Sequence, residues 1–373
     1  MNQHISRREF IQHSAGWAAA GGLVGTGTTV MAANQPIREY RRGGMLYRRL
    51  GNTELFVSTL SFGSHTNPEF RVGSKHGSAL SDQGQAHRDR HIAKSMDHGV
   101  NMVDVYENAG QWQPMADLVR HRRDKVLVSI CRQFDIYPGR HIDLAARLFG
   151  YVDLYRIYVG DGLQVSESIL EDWDAMRRAK RMGKVRAIGI STHSESMMLS
   201  ALEELEGLDY IMFPYNFIHA RADYSEFLPK ATRLGVGLIA IKPLAAGSIV
   251  KLDPHAPPGS RPEQSNVVLY KRTVRSMSPV VTEKLTESLD RLPNETLCQA
   301  ALRFVYSRPF ITSAMPGMFQ EHEVDNNIAA IDNHLALSQN ETDALDAARR
   351  LCGAHGPGWL PRHYRWLDQR WRV

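Results

Sequence analysis

The sequence predicts an α/β protein of the (β/α)8 or TIM-barrel class, with an N-terminal β-hairpin and a C-terminal helical tail. Three observations carry that prediction. First, short apolar runs alternate with stretches of helical periodicity, and eight such runs can be counted. Strands that are apolar throughout, separated by helices, belong to a parallel sheet covered on both faces. Second, 373 residues, 43% of them hydrophobic and 23% charged, suffice for one barrel of about 250 residues with extensions. Third, the competing open doubly wound sheet needs a glycine-rich phosphate loop after its first strand. The chain has "FGSHTNP" there, which is not one.

Taken in order, "MLYRRLGNTELFVSTLSFGS" (45–64) places two alternating segments around "GNTE", a hairpin leading into a first barrel strand at 57–60. Ile92 and Met96 have helical spacing, with Gly99 as the stop, and "VNMVD" (100–104) follows as a strand. Further strands are predicted at "KVLVSI" (125–130), "VDLYRIYV" (152–159), "VRAIGIS" (185–191), "LDYIMFP" (208–214), "GVGLIAIKP" (235–243) and "FITSAMPG" (310–317). Helices are predicted between them at 142–149, 166–182, 194–205, 224–234, 296–307 and 321–331. Two long stretches break the alternation, 64–85 after the first strand and the Pro-rich 251–268 after the seventh. Both are expected at the C-terminal face of a barrel, where active-site walls are built. The barrel is expected to occupy 45–340, and 341–373 to form a last helix and an aromatic, Arg-rich tail.

The net charge of +5 is spread along the chain. The one dense basic run, "RHRRDK" (120–125), reads as a solvated face, so no nucleic-acid partner is expected. The N-terminus is more specific. "SRREFI" (6–11) precedes the weakly apolar, Gly/Ala-rich "SAGWAAAGGLVGTGTTVMAA" (14–33), which ends in small residues suited to cleavage. This resembles a twin-arginine export signal over 1–33. The resemblance implies the twin-arginine export machinery as a partner, folding before export and a periplasmic destination. The stretch is too weakly apolar for a stable membrane span. Three cysteines, Cys131, Cys298 and Cys352, lack metal-ligand spacing, and their odd number leaves at least one outside any intramolecular disulfide. No metal site is expected.

"LGNTELFVSTLSFG", "GVNMVD", "GKVRAIGIS", "PYN", "IAIKPLAAG" and "MPG" followed by "NNIAA" occur in that order along the chain. Together they resemble the aldo/keto reductase family, an eight-stranded barrel using NADPH or NADH. The resemblance implies NAD(P)-linked reduction of a small carbonyl compound, or oxidation of the corresponding alcohol. The family's chemistry rests on an Asp, a Tyr, a Lys and a His at the tops of successive strands. The Tyr protonates the carbonyl oxygen as hydride arrives, and a matched acid at the developing alkoxide is what the step needs.

Asp104 falls at the family's Asp, but the Tyr place falls on Ala109, the Lys place on Cys131 and the His place on Tyr158. A carboxylate at the end of an apolar strand is costly unless another group needs its charge. Candidates for a rearranged site are Tyr106, which would share a face with Asp104 if the strand continues, Arg132 as a counter-charge, and Tyr158 as a phenolic donor. Cys131 is expected to be a small core residue, because a reactive thiolate needs an activating neighbour. For the nucleotide, the resemblance implies Ser191 at the nicotinamide amide and Lys242, Pro243, Leu244 and Gly247 along the pyrophosphate. It implies Gly317 and Asn327 at the adenosine end. Met212 and Met318 stand where the family has a glutamine and, often, a basic residue, and a methionine cannot pair with phosphate. Some exported relatives carry a C-terminal iron–sulfur segment, but Cys352 stands alone in its stretch and no cluster is expected. The alternative reading is a non-catalytic exported barrel that binds a ligand or partner protein at the same mouth.

Overall fold

A computed structural model describes residues 38–73, 79–106, 109–132, 136–160, 162–216, 222, 225–245, 295–332, 336–340 and 342–343. The export signal, Gly247, the insertion at 251–268 and the tail with Cys352 lie outside the described residues, as does all but Thr342 and Asp343 of the last helix. Among the described residues no helix is long and apolar enough to cross a membrane.

An antiparallel sheet of β1 (Glu39–Arg42), β2 (Met45–Arg49) and β3 (Phe56–Ser58) comes first. Seven parallel strands follow in sequential order: β4 (Met102–Tyr106), β5 (Leu127–Cys131), β6 (Val152–Gly160), β7 (Val185–Thr192), β8 (Tyr210–Pro214), β9 (Gly237–Ile241) and β10 (Ser313–Met315). The two edges of this sheet are joined by a single short stretch. Leu60 bridges Ala314 of β10, and Phe62 bridges Val103 of β4, both parallel. Phe62 N–H donates to Met102 O at 2.9 Å and Asp104 N–H to Phe62 O at 2.9 Å. The first barrel strand therefore lies at 60–62, not at 57–60. The reason is local: β3 ends in a register where Tyr47 pairs with Ser58, so the chain leaves the hairpin before it can join the barrel.

Helices α1 (Asp82–Asp97), α2 (Trp112–Val119), α3 (Pro138–Phe149), α4 (Glu167–Arg181), α5 (Glu195–Glu204), α6 (Phe227–Leu234), α7 (Leu297–Tyr306) and α8 (Glu321–Asp332) lie between and after the strands. Of these, α1, α4, α5 and α7 start at a hydroxyl cap. Ser81, Ser166 and Ser194 accept from Gly84, Ile169 and Met197 N–H, and Thr296 forms a reciprocal box with Gln299. Strand alternation sorts side chains into two cores. Met102, Leu127, Leu154, Met212, Ile239 and Met315 fill the barrel interior together with Leu50, Leu55 and Val57 of the hairpin. Asn52 N–H donates to Gly235 O just before β9, which seats the hairpin at the N-terminal end of the barrel. The alternate residues of each strand, such as Val103, Val105 and Val128, face outward and pack with helical residues including Ile142, Trp173 and Met198. The hairpin closes one end, and the chemistry-bearing residues collect at the other.

Candidate active site

Asp104 is 2% exposed on the inner face of β4. Arg156 of β6 grips it with both guanidinium nitrogens, Nη1 donating to Oδ1 at 2.7 Å and Nη2 to Oδ2 at 3.0 Å. Ser129 of β5 donates its Oγ–H to Oδ1 at 2.8 Å and accepts from Arg156 Nη1 at 2.9 Å. A planar guanidinium matches a carboxylate bidentately, and this fork satisfies a charge that could not stay buried alone. The expectation that Arg132 balances Asp104 is overturned. Residues 127, 129 and 131 of β5 point into the barrel, so Arg132 points outward, where it forms an ion pair with Asp172 of α4.

Tyr106 follows a register shift in β4 and takes a left-handed backbone with φ of 51°. Its ring lies under the Arg156 guanidinium, 5.3 Å from centroid to Cζ, so the aromatic face is used in a cation–π contact. Cys131 is fully buried on the inner face, paired in register with Arg156, as a core residue would be. Ala109 lies in a short 3-10 turn beyond β4.

Tyr158, near the end of β6, faces a histidine that sequence reasoning missed. Its Oη is 3.5 Å from His193 Nδ1, and the two rings meet edge-on with centroids 5.7 Å apart. On the other side of the imidazole, Nε2 is 2.7 Å from Lys242 Nζ. His193 follows the last residue of β7, where Thr192 Oγ–H donates to Gly160 O at 3.1 Å and ties β7 to the end of β6. Lys242 is the first residue beyond β9, with φ of 55°, and its carbonyl accepts from Asn216 Nδ2 at 3.0 Å. Burial lowers the Lys242 ammonium to about 7. The signal in the sequence was a histidine directly after "GIST", at the top of a strand.

The residues assigned to a nucleotide fit such a group at both of its ends. Ser191 Oγ and Asn327 Nδ2 are buried, and neither has a hydrogen-bond partner among the described residues. Buried polar atoms of this kind need a partner, and a dinucleotide supplies amide and adenine groups for them. Gly317 is exposed, and no atom lies within 4 Å of the place a Cβ would occupy, so backbone can approach a ligand there. Pro243 is buried and Leu244 half-buried beside Lys242. Met212 belongs to the barrel interior and Met318 is buried. After Met318, the Glu323 carboxylate accepts from Phe319 N–H at 2.5 Å and Gln320 N–H at 2.9 Å, and burial pushes it up to about 7.

A profile of the aldo/keto reductase family matches residues 96–350. The chain belongs to the aldo/keto reductase family. Among similar proteins, this aldo/keto reductase is 28% identical over 341 residues to L-glyceraldehyde 3-phosphate reductase of Escherichia coli K12, with 82% of this chain and 93% of that one covered. It is 27% identical to a probable voltage-gated potassium channel subunit beta of Arabidopsis thaliana, covering 77% and 92% of the two chains. Among solved structures, an aldo-keto reductase of Bacillus halodurans in its holo form superposes with a TM-score of 0.61 at 19% identity, over 81% of this chain and 95% of that one. An aldo/keto reductase of Klebsiella pneumoniae in complex with NADP and acetate gives 0.56 at 19% identity, over 79% and 92%. The last two likenesses establish the barrel fold.

Proposed function

We propose that this aldo/keto reductase is exported through the twin-arginine pathway to the periplasm. There it interconverts a small carbonyl compound and its alcohol with NAD or NADP as cofactor. The observation that carries the cofactor is the pair of buried, unsatisfied polar atoms, Ser191 Oγ and Asn327 Nδ2, at the positions the family uses for the two ends of a dinucleotide. When bound, the nicotinamide supplies or takes up the hydride. Ser191 would hold the carboxamide, Lys242 would offset phosphate charge, and Asn327 would hold the adenine.

Of the family's four proton-transfer positions only Asp104 keeps its residue, and Arg156 saturates it. An arginine holds its proton too tightly to pass it on. The proton must then come from another group, and Tyr158 is the phenol at the mouth. The saturated Asp104 also favours a second reading, a barrel that binds a ligand or partner without chemistry.

Titration of the purified protein with NADH and NADPH, followed by nicotinamide fluorescence, tests the cofactor. Binding of either is expected, and Ser191→Ala and Asn327→Ala should each weaken it by roughly threefold to tenfold, the equivalent of about 0.5–1.5 kcal/mol for one hydrogen bond. No binding of either nucleotide would reject the oxidoreductase reading. For export, replacing both Arg7 and Arg8 by lysine should leave precursor in the cytoplasm. Undiminished periplasmic yield would remove the localisation.

A further inference from the structure

We propose that Tyr158, His193 and Lys242 form a proton path that replaces the family's missing Tyr–Lys apparatus, with Tyr158 as the catalytic donor and the other two restoring its proton. The proposal rests on the oxidoreductase reading above and names the acid that reading needs. Its basis is the continuous contact Tyr158 Oη, His193 Nδ1, His193 Nε2, Lys242 Nζ across the tops of β6, β7 and β9.

The atoms order themselves in one direction. An ammonium has only donors, so Lys242 donates to Nε2, which must then be the bare nitrogen of a neutral ring. The ring proton sits on Nδ1 and points to Tyr158 Oη. The phenolic hydrogen is then the one given to a carbonyl oxygen bound at the mouth. As hydride adds to the carbonyl carbon with both electrons, the carbonyl oxygen takes the Tyr158 proton. Nδ1–H passes to Oη, and the Lys242 proton passes to Nε2. No charge separation remains along the path: the phenol is regenerated, and the lysine ends as a neutral amine. The imidazole stays neutral but ends as the Nε2–H tautomer, so the ring proton returns to Nδ1 by exchange before the next cycle. Being half-buried, Lys242 regains its proton from solvent. In alcohol oxidation every transfer reverses.

A lysine brought by burial to about 7 suits this task, because a proton donor works best with its pKa near the working pH. The charged groups deeper in the barrel, Asp104 on β4 and Arg156 on β6, are locked to each other with the Tyr106 ring on Arg156. The 3.5 Å Tyr158–His193 separation is at the outer limit of a hydrogen bond. Such contacts are commonly long before substrate tightens them.

The test begins with nucleotide binding by fluorescence, and circular dichroism with thermal unfolding reports that each variant is folded. Turnover of 4-nitrobenzaldehyde and glyceraldehyde is then followed from pH 5.5 to 9.5. In the wild type, reduction should be fastest below pH about 7 and fall as Lys242 loses its proton. Tyr158→Phe should lower kcat by roughly 10² to 10⁴-fold, the usual share of general acid catalysis, with nucleotide affinity unchanged. Lys242→Arg keeps the cation but cannot release a proton, so it should lower kcat and abolish the pH limb near 7. His193→Gln should do the same, and Lys242→Met serves as a second variant at that end. Absence of nucleotide binding in the wild type would overturn the oxidoreductase reading and the path with it. Binding without turnover of either aldehyde would overturn the path alone. Turnover whose pH profile survives His193→Gln and Lys242→Arg would also overturn the path alone.

Discussion

At the scale of single residues, the decisive fact is how Asp104 is neutralised. The sequence marked it as a buried carboxylate in need of a partner, which is correct, but adjacency along the chain suggested Arg132. Parity decides otherwise. Arg156 shares the inward phase of Leu154 and Tyr158, whereas Arg132 has the outward phase and meets Asp172. Both Asp104 and Arg156 side chains are 3% exposed, so removing one leaves the other charge stranded. Arg156→Met is expected to destabilise the protein by about 3–5 kcal/mol, and Asp104→Asn in that background should recover part of the loss. Arg132→Ala, breaking a pair whose side chains are 22% and 18% exposed, should cost less, about 1–2 kcal/mol, and add independently to Asp104→Asn. Urea unfolding of the three single and two double variants measures this. Additive effects of the Asp104 and Arg156 changes would mean the fork contributes no coupling. His193 was invisible for a different reason: a histidine after a strand is ordinary until the fold brings Tyr158 and Lys242 to its two nitrogens.

At the scale of elements, the alternation of apolar runs with helical periodicity was enough to place every strand from β4 to β10. The serine caps at Ser166 and Ser194 also put two helix starts where the sequence did. What it did not place was α2, whose eight residues make barely two turns, and β1, which is exposed throughout and has no apolar phase to read. Strand packing depends on a glycine at one point. A Cβ on Gly189 of β7 would press on the Tyr210 carbonyl oxygen and come within 2.7 Å of ring carbons Cδ1 and Cε1 of Tyr210. The ring is wholly buried in the barrel interior and has nowhere to move. Gly189→Ala is therefore expected to cost about 1–3 kcal/mol by overpacking. A lowered guanidinium midpoint with an unchanged slope checks it, and an unchanged midpoint would show that β7 and β8 can separate. Ser191 lies two residues on, in the same phase, so weaker nucleotide binding should accompany the lost stability.

At the scale of the whole molecule, the balance of buried titratable groups sets the response to acid. His91 of α1 and His141 of α3 are both buried, and burial lowers each to about 4; for His141 the nearby Arg132 charge acts in the same direction. His141 Nδ1 also lies 3.0 Å from Tyr155 Oη, a neutral contact that a second ring proton would disturb. In the unfolded chain each imidazole titrates near 6.5. Between pH 6.5 and about 4 the unfolded state therefore binds more protons than the folded one, and stability falls as pH falls. The shift corresponds to at most about 3 kcal/mol for each histidine. Glu323 works in the opposite sense. Raised to about 7 from an unfolded value near 4.5, it favours the fold more at the acid end of that window. Two histidines outweigh one half-buried carboxylate, so the net slope is a loss. Thermal unfolding from pH 7.5 down to 4.5 should show a falling Tm. The pair of changes His91→Gln and His141→Gln should flatten the curve, and Glu323→Gln should steepen it. A Tm independent of pH in the wild type would mean that both imidazoles accept their protons inside the fold.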